Sequence, residues 1–433
     1  VLFRMGSLLE TQLGDVPAAK AHYRQAVEAD PRCFPALHGL RDLAARAEDW
    51  AAVIENLRAE LALWDDPKER AAVLARIGEV EARRRGDPAA ALASYREALA
   101  TWPESVPAAR YLADRAFAEG RFADAAPLFQ LLCNQKLDKW PRAARADLFC
   151  KRGVTAHRLG RSREALEALK IALEFDPTHL DALEGLVDAA GEPPLEEDEA
   201  AVDGALEAAR AATDDPALHA HLARLTGRAR ERRFDRAGAA EAYGQAAAAR
   251  PDDLAMLAPL VDLHASWRAW PEAAAALRAF SDRHAPAAVE DPAARARCVA
   301  ALMREGTLWT DLAGEPARGA SCFKRVRVLA PDRLDAAQRQ AECHVLQGNF
   351  EAARQLMRAV LAPTRAIAAA EHAQALFYLG RIEALGFGDE AEAERQYRRA
   401  LDVDRQHAGA LLALLKGLDG RGDAEGLAAA LER

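Results

Sequence analysis

KERAAVLARIGEVEARRRGDPAAALASYREALATWP, residues Lys68 to Pro103, reads as two helices joined by one tight turn. Gly86 stands where a residue without Cβ accepts a left-handed backbone, and Asp87 followed by Pro88 caps and starts the second helix. Pro103 stops it. Gly78 in the first helix and Ala91 in the second are small enough for the two axes to approach closely, and Tyr95 is expected to fill the groove against the next hairpin.

The same slots return along the chain. They are Gly6, Gly14, Ala19, Tyr23, Ala26 and Pro31 in the first hairpin, and Gly153, Gly160, Ala165, Leu169, Ala172 and Pro177 in the fifth. The ninth supplies Gly306, Gly314, Gly319, Phe323 and Pro331; the eleventh supplies Gly380, Gly388, Ala393, Tyr397 and Ala400, with Arg405 in the place of proline. Plainer hairpins alternate with these. Turn residues are expected at Gly14, Gly86, Gly160, Phe234, Gly314 and Gly388 in the longer kind, and at Glu48, Gly120, Pro194, Arg268, Gly348 and Gly422 in the shorter. The step from long to short is always 34 residues, and the step back is 38, 40, 40, 46 and 40. A chain repeating at this period stacks hairpins, each touching its neighbours, so residues 1–433 are expected to form a single solenoid.

Composition agrees with an all-α chain, since alanine, leucine, arginine and glutamate dominate and no segment alternates like a strand. The net charge of -9 is interspersed, which argues against a nucleic-acid face. Arginine outnumbers lysine 50 to 8 without clustering, which fits a GC-rich bacterial genome. No run of 18 apolar residues exists to span a membrane. VLFRMGSLLE begins in mid-repeat and Arg433 falls inside the second helix of the twelfth hairpin, so the chain reads as an excerpt with flanking repeats or domains. The last first helix, LLALLKGL, would then expose Leu411, Leu412, Leu414 and Leu415.

The slots in hairpins one, three, five, nine and eleven resemble the tetratricopeptide repeat across almost the whole chain. The resemblance implies an all-α right-handed solenoid of about eleven complete hairpins plus a partial one. Two departures stand out. The first-helix glycine and the turn glycine lie eight apart in hairpins one, three, nine and eleven, where the family has seven, so those first helices are expected to carry an extra residue or a looser turn. In hairpin six, Pro193, Pro194 and the acidic run Glu196 to Glu199 predict an irregular repeat with an exposed acidic loop over 191–204.

Signatures of chemistry are scarce: no phosphate loop, no nucleophile elbow, no H-E-x-x-H and no Rossmann fingerprint. Cysteines 33, 133, 150, 298, 322 and 343 make no C-x-x-C pair and read as small buried hydrophobes of a reducing compartment. His219 and His221 are two apart on a helix and point in different directions, which makes a poor chelate. The expectation is no catalysis, no metal and no cofactor.

Charge recurs more pointedly. The short hairpins carry an acid late in the first helix: Asp42, Asp114, Asp188, Asp262 and Glu342. The long ones carry a base at the matching turn: Arg4, Arg76, Lys151, Arg224, Arg304 and Arg381. In tetratricopeptide repeats this slot faces the concave groove, so the resemblance implies a groove whose charge alternates. Either acid and base pair along the wall, at roughly 0 to 1 kcal/mol each, or they select a partner segment. Arg83, Arg110 and Arg228 could join Arg76 and Arg224 in holding an acidic ligand, although Glu79 and Asp114 lie one turn from some of them. The family's clamp for a C-terminal carboxylate needs asparagine on the groove, and Asn56, Asn134 and Asn349 are not on that pattern.

The function expected is a non-catalytic scaffold that binds protein or peptide segments in a concave groove, in the cytoplasm, or in the periplasm if a signal peptide lies upstream. The alternatives are the sensor or regulatory arm of a larger enzyme or transcription factor, and a structural part of a cell-envelope assembly.

Overall fold

Gly86 adopts φ 63°, the left-handed backbone its turn calls for. The computed structural model describes residues 1–191, 193–362, 368–420 and 422–423. Asp87 Oδ1 accepts the Ala90 N–H at 3.0 Å, and Pro88 opens the second helix, so the cap and the start signal act together. Eleven of the twelve expected turn residues have positive φ, Glu48, Phe234 and Arg268 among them without being glycine. The twelfth differs. At hairpin six the left-handed residue is Gly191, with φ 91°, because the ring of Pro194 forbids positive φ.

The described residues form two compact units, Val1–Thr213 and Asp214–Arg433. The N-terminal unit holds six hairpins, in order α1 (Leu2–Leu8) and α2 (Val16–Ala29), α3 (Phe34–Arg46) and α4 (Trp50–Leu61), α5 (Pro67–Val80) and α6 (Pro88–Thr101), α7 (Val106–Ala118) and α8 (Phe122–Cys133), α9 (Arg142–Arg158) and α10 (Ser162–Phe175), α11 (Leu180–Ala189) and α12 (Glu196–Ala211). Five follow in the C-terminal unit: α13 (Pro216–Arg232) and α14 (Arg236–Ala249), α15 (Leu254–Ser266) and α16 (Trp270–His284), α17 (Pro292–Thr307) and α18 (Pro316–Leu329), α19 (Leu334–Leu346) and α20 (Phe350–Val360), α21 (Ala369–Ile382) and α22 (Glu390–Val403). After them comes α23 (Ala408–Gly420), the first helix of the twelfth hairpin. The rest of that hairpin, 424–433, lies outside the described residues. Each unit is an all-α stack of helical hairpins, and no strand is found among the described residues.

The extra residue predicted in four first helices takes a definite form. Leu9–Leu13, Glu81–Arg85, Leu308–Leu312 and Glu383–Phe387 are single π-helical turns at the ends of the first helices of hairpins one, three, nine and eleven. A π-turn closes i→i+5 hydrogen bonds and absorbs one residue without breaking the helix. Hairpins five and seven keep a spacing of seven and remain α-helical to the turn.

Packing centres on a ring set against a glycine. A Cβ at Gly78 would meet Tyr95 Cε2 at 2.8 Å, so the ring occupies space only glycine leaves. Tyr95 then stacks on Tyr111 of the next hairpin, with centroids 4.2 Å apart. In hairpin one, Tyr23 lies between Gly6 and Gly39, and Leu169 takes the same place between Gly153 and Gly185. Tyr243, Phe323 and Tyr397 cover Gly227, Gly306 and Gly380. The aromatic therefore seats against its own first helix as well as the next hairpin.

Two expectations are corrected. Glu196 to Glu199 are not a loop: they are the first turn of α12, and Asp198 is buried. Four acids at a helix N-terminus offset the unpaired N–H groups there, which favours helix over an extended loop. α11 is shortened to ten residues, and the connection ends at Leu195. In α23, Leu412 is 67% exposed as expected, but Leu414 is buried with Tyr397 and Leu401 of α22.

Candidate functional site

The first helices of consecutive hairpins carry the predicted acids and bases, and the structure treats the steps between them in two ways. At the α7–α9 step, Lys151 Nζ lies 2.7 Å from Asp114 Oδ1 and 2.9 Å from Asp147 Oδ2. Partial burial disfavours the Lys151 ammonium, and the two carboxylates more than offset this, holding its pKa above the usual lysine value. At the α15–α17 step the Arg304 guanidinium bonds directly to Asp262. These two steps are closed by internal pairing.

The α3–α5 and α19–α21 steps are open. Asp42 is approached by its neighbour Arg41, at 3.6 Å, and Arg41 is drawn away to the buried Glu60 at 3.2 Å. Arg76 is exposed and, among the described residues, forms no ion pair. A cleft of about 570 Å³ stands here, lined by Arg41, Asp42, Arg76, Glu79, Arg83 and Arg84 around an apolar floor. At the other step Glu342 is held by Arg339 at 2.7 Å and by the Tyr378 hydroxyl, which donates to it. Arg381 lies beside the rings of Phe377 and Tyr378, 5.9 Å from each, with no carboxylate partner among the described residues. Glu342 and Arg381 line a cleft of about 240 Å³ whose other walls are largely apolar, including Val345, Leu346, Ile382 and Leu385.

The remaining predicted residues make local contacts. Arg83 pairs with Glu79 at 3.1 Å one turn away. Arg110 lies over the Trp140 ring at 5.0 Å, a cation–π contact. Asp188 is half-buried on α11, and Arg224 and Arg228 are half-buried on α13 near Tyr243, whose hydroxyl donates to Glu231 at 2.8 Å.

Sequence reasoning missed a set of buried acids. Glu81, Glu305 and Glu383 lie at or beside three of the π-turns and are at most 2% exposed. Glu305 accepts from Arg278 of the preceding hairpin at 2.7 Å and from Trp309 Nε1 at 3.4 Å. Glu383 accepts from Arg354 and Arg358 at 3.5 and 3.1 Å, and Glu81 from Ser94 at 2.7 Å. For Glu81 and Glu383 the visible signal was an acid three residues after the first-helix glycine, in GEVE and GRIE, whereas Glu305 directly precedes its glycine. It is too short a pattern to separate from a solvated helix face.

Among the described residues, no group of three or more His, Cys, Asp and Glu side chains could hold a metal ion, and no helix is long and apolar enough to cross a membrane. Burial pushes the Cys150 and Cys322 thiols up to about 12, which leaves them protonated and unreactive.

Family models of the tetratricopeptide repeat match residues 1–33, 80–144 and 313–366. The chain is similar to the C-terminal part of a TPR repeat-containing protein from Cytophaga hutchinsonii, at 15% identity over 71% of this chain and 99% of that one, with a TM-score of 0.39. It is similar to YrrB, described as a TPR protein with an unusual peptide-binding site, at 22% identity over 42% of this chain and 88% of that one, with a TM-score of 0.29. Yeast Tom70 matches at 16% identity over 100% and 98%, with a TM-score of 0.35. No curated protein sequence matches the chain at a comparable level. With repeat matches in both units and the same turn, cap and glycine–aromatic seat from hairpin to hairpin, the chain carries tetratricopeptide repeats in each unit.

Proposed function

We propose that this chain is a protein-interaction scaffold that holds partner segments along its rows of first helices and performs no chemistry of its own. The observation that carries the reading is the contrast between steps. Asp114–Lys151 and Asp262–Arg304 satisfy each other, whereas Arg76 and Arg381 have no carboxylate partner among the described residues and stand beside clefts of about 570 and 240 Å³. A rim cation that no internal acid neutralises favours encounter with an acidic partner and disfavours a basic one. Exposed apolar side chains beside it, Leu346 and Leu385 at 63% each, supply area that a partner would bury.

The test is cross-linking and mass spectrometry on the native full-length protein. The scaffold reading expects partner cross-links that map near Arg76 or Arg381 and weaken when both are changed to glutamate. Turnover of a nucleotide, peptide or small substrate by the purified chain would overturn it.

A further inference from the structure

The larger of the two open clefts has a composition that names its occupant. Four guanidinium groups, from Arg41, Arg76, Arg83 and Arg84, face two carboxylates, from Asp42 and Glu79, so the lining is cationic in a chain whose net charge is -9. Their engagements differ. Arg41 is fixed by the buried Glu60 at 3.2 Å, and Arg83 shares an exposed pair with Glu79 at 3.1 Å. Arg84 lies over the Trp50 ring at 5.0 Å, and Arg76 has no ionic partner among the described residues. Arg83 and Arg84 belong to the π-turn Glu81–Arg85, an element that recurs at functional sites. The floor is apolar: Trp50 is half-buried, and Val53 and Leu57 are buried beneath it.

Resting on the scaffold reading, we propose that this cleft binds an acidic partner segment, with a carboxylate taken by Arg76 and Arg84 and a neighbouring apolar side chain seated on Trp50. Arg76 gains a counter-charge, and Arg84 can turn from the ring face to the carboxylate in the planar two-pronged geometry guanidinium favours. The apolar side chain then covers the exposed part of Trp50. Basic segments are disfavoured because four guanidinium groups outnumber the two carboxylates in the lining, and Glu79 is already paired with Arg83. The paired step at Asp114–Lys151 offers no equivalent free cation.

The experiment uses the whole chain and two fluorescein-labelled amidated peptides, one rich in glutamate around a central leucine and one with lysine in place of every glutamate. Anisotropy is expected to show saturable binding of the acidic peptide only, weakening as salt rises. Arg76→Glu should weaken it about tenfold or more, while Arg24→Glu, an equal charge change on α2 away from the cleft, should leave it unchanged. Circular dichroism confirms that both variants fold. Trp50→Phe should remove the part of the intrinsic emission that responds to the peptide. Equal binding of both peptides, no binding of either, or equal losses in Arg76→Glu and Arg24→Glu would each overturn the cleft assignment. The cross-linking experiment on the full-length protein separates the two ideas: partner cross-links elsewhere on the first helices would leave the scaffold standing without this cleft.

Discussion

Lys151 Nζ stands 2.7 Å from Asp114 Oδ1, joining the first helices of two successive hairpins. The side chains are 25% and 43% exposed, so water screens the pair, and Asp147 keeps a second contact to the ammonium. Asp114→Ala is therefore expected to lower stability by no more than about 1 kcal/mol and to leave partner binding unchanged, read from urea unfolding beside a binding assay. Because the folded Lys151 pKa is raised, the contribution is fully present below the unfolded lysine pKa and is lost as pH rises through the folded one. Weakened partner binding in this variant would return Asp114 to the recognition surface.

Gly78 leaves a Cβ-sized space that the Tyr95 ring fills, with Cε2 only 2.8 Å from where a Cβ would stand. The ring cannot retreat freely, because Tyr111 stacks on it at 4.2 Å. Gly78→Ala should cost about 1–3 kcal/mol through overpacking, although alanine is the better helix former. A rise in the urea midpoint would mean that the ring is free to move.

Most of the fold was legible because turns and close approaches demand particular residues. Eleven turn positions were readable from glycine and its substitutes, and the glycine spacing of eight marked every π-turn. Hairpin six departs from its expected turn at Pro194 because Gly191 provides the left-handed residue and the acids after it favour a helix start. The charged rows were legible as a pattern but not as pairs. Whether a base reaches its acid depends on competitors such as Glu60 for Arg41 and Tyr378 for Glu342, which are distant in sequence.

Phe234 holds φ 60° at a turn where its sister hairpins use glycine, and it is 68% exposed. The left-handed backbone costs a residue with a Cβ about 1–2 kcal/mol, and an exposed ring returns little of that through packing. Phe234→Gly is expected to raise the melting temperature. The same change at the ordinary αR position of Arg236 in α14 should lower it, and a fall at both sites would show that the Phe234 ring contributes more than its exposure suggests.

Burial, aided by nearby carboxylates, pushes the Tyr23, Tyr95 and Tyr378 hydroxyls up to about 12. Their contribution is fully present below the unfolded tyrosine pKa near 10 and is lost as pH rises through the folded values. Stability should thus decline between about pH 10 and 12. Ultraviolet titration of tyrosinate should lag behind that of the urea-unfolded chain. Tyr95→Phe should flatten the decline, since that ring keeps its stacking but no longer ionises.

Glu305 is fully buried, and its charge is matched by one arginine, Arg278, at 2.7 Å from a helix of the preceding hairpin. The guanidinium is 54% exposed, so water can partly replace it, and beyond it the carboxylate has only weak donors, Trp309 Nε1 at 3.4 Å and the Cys322 thiol. Arg278→Ala should cost about 3 kcal/mol, the lower end for a broken buried pair, because it leaves a buried carboxylate with only what water can enter in place of the guanidinium. A double variant, Arg278→Leu with Glu305→Met, should recover most of that loss, since two apolar side chains carry no desolvation penalty. Urea unfolding of both variants decides the point. A small single-variant effect would mean that water already serves Glu305, and a double variant no better than the single would mean that the pair sets the packing of α16 on α17 through its shape rather than its charge.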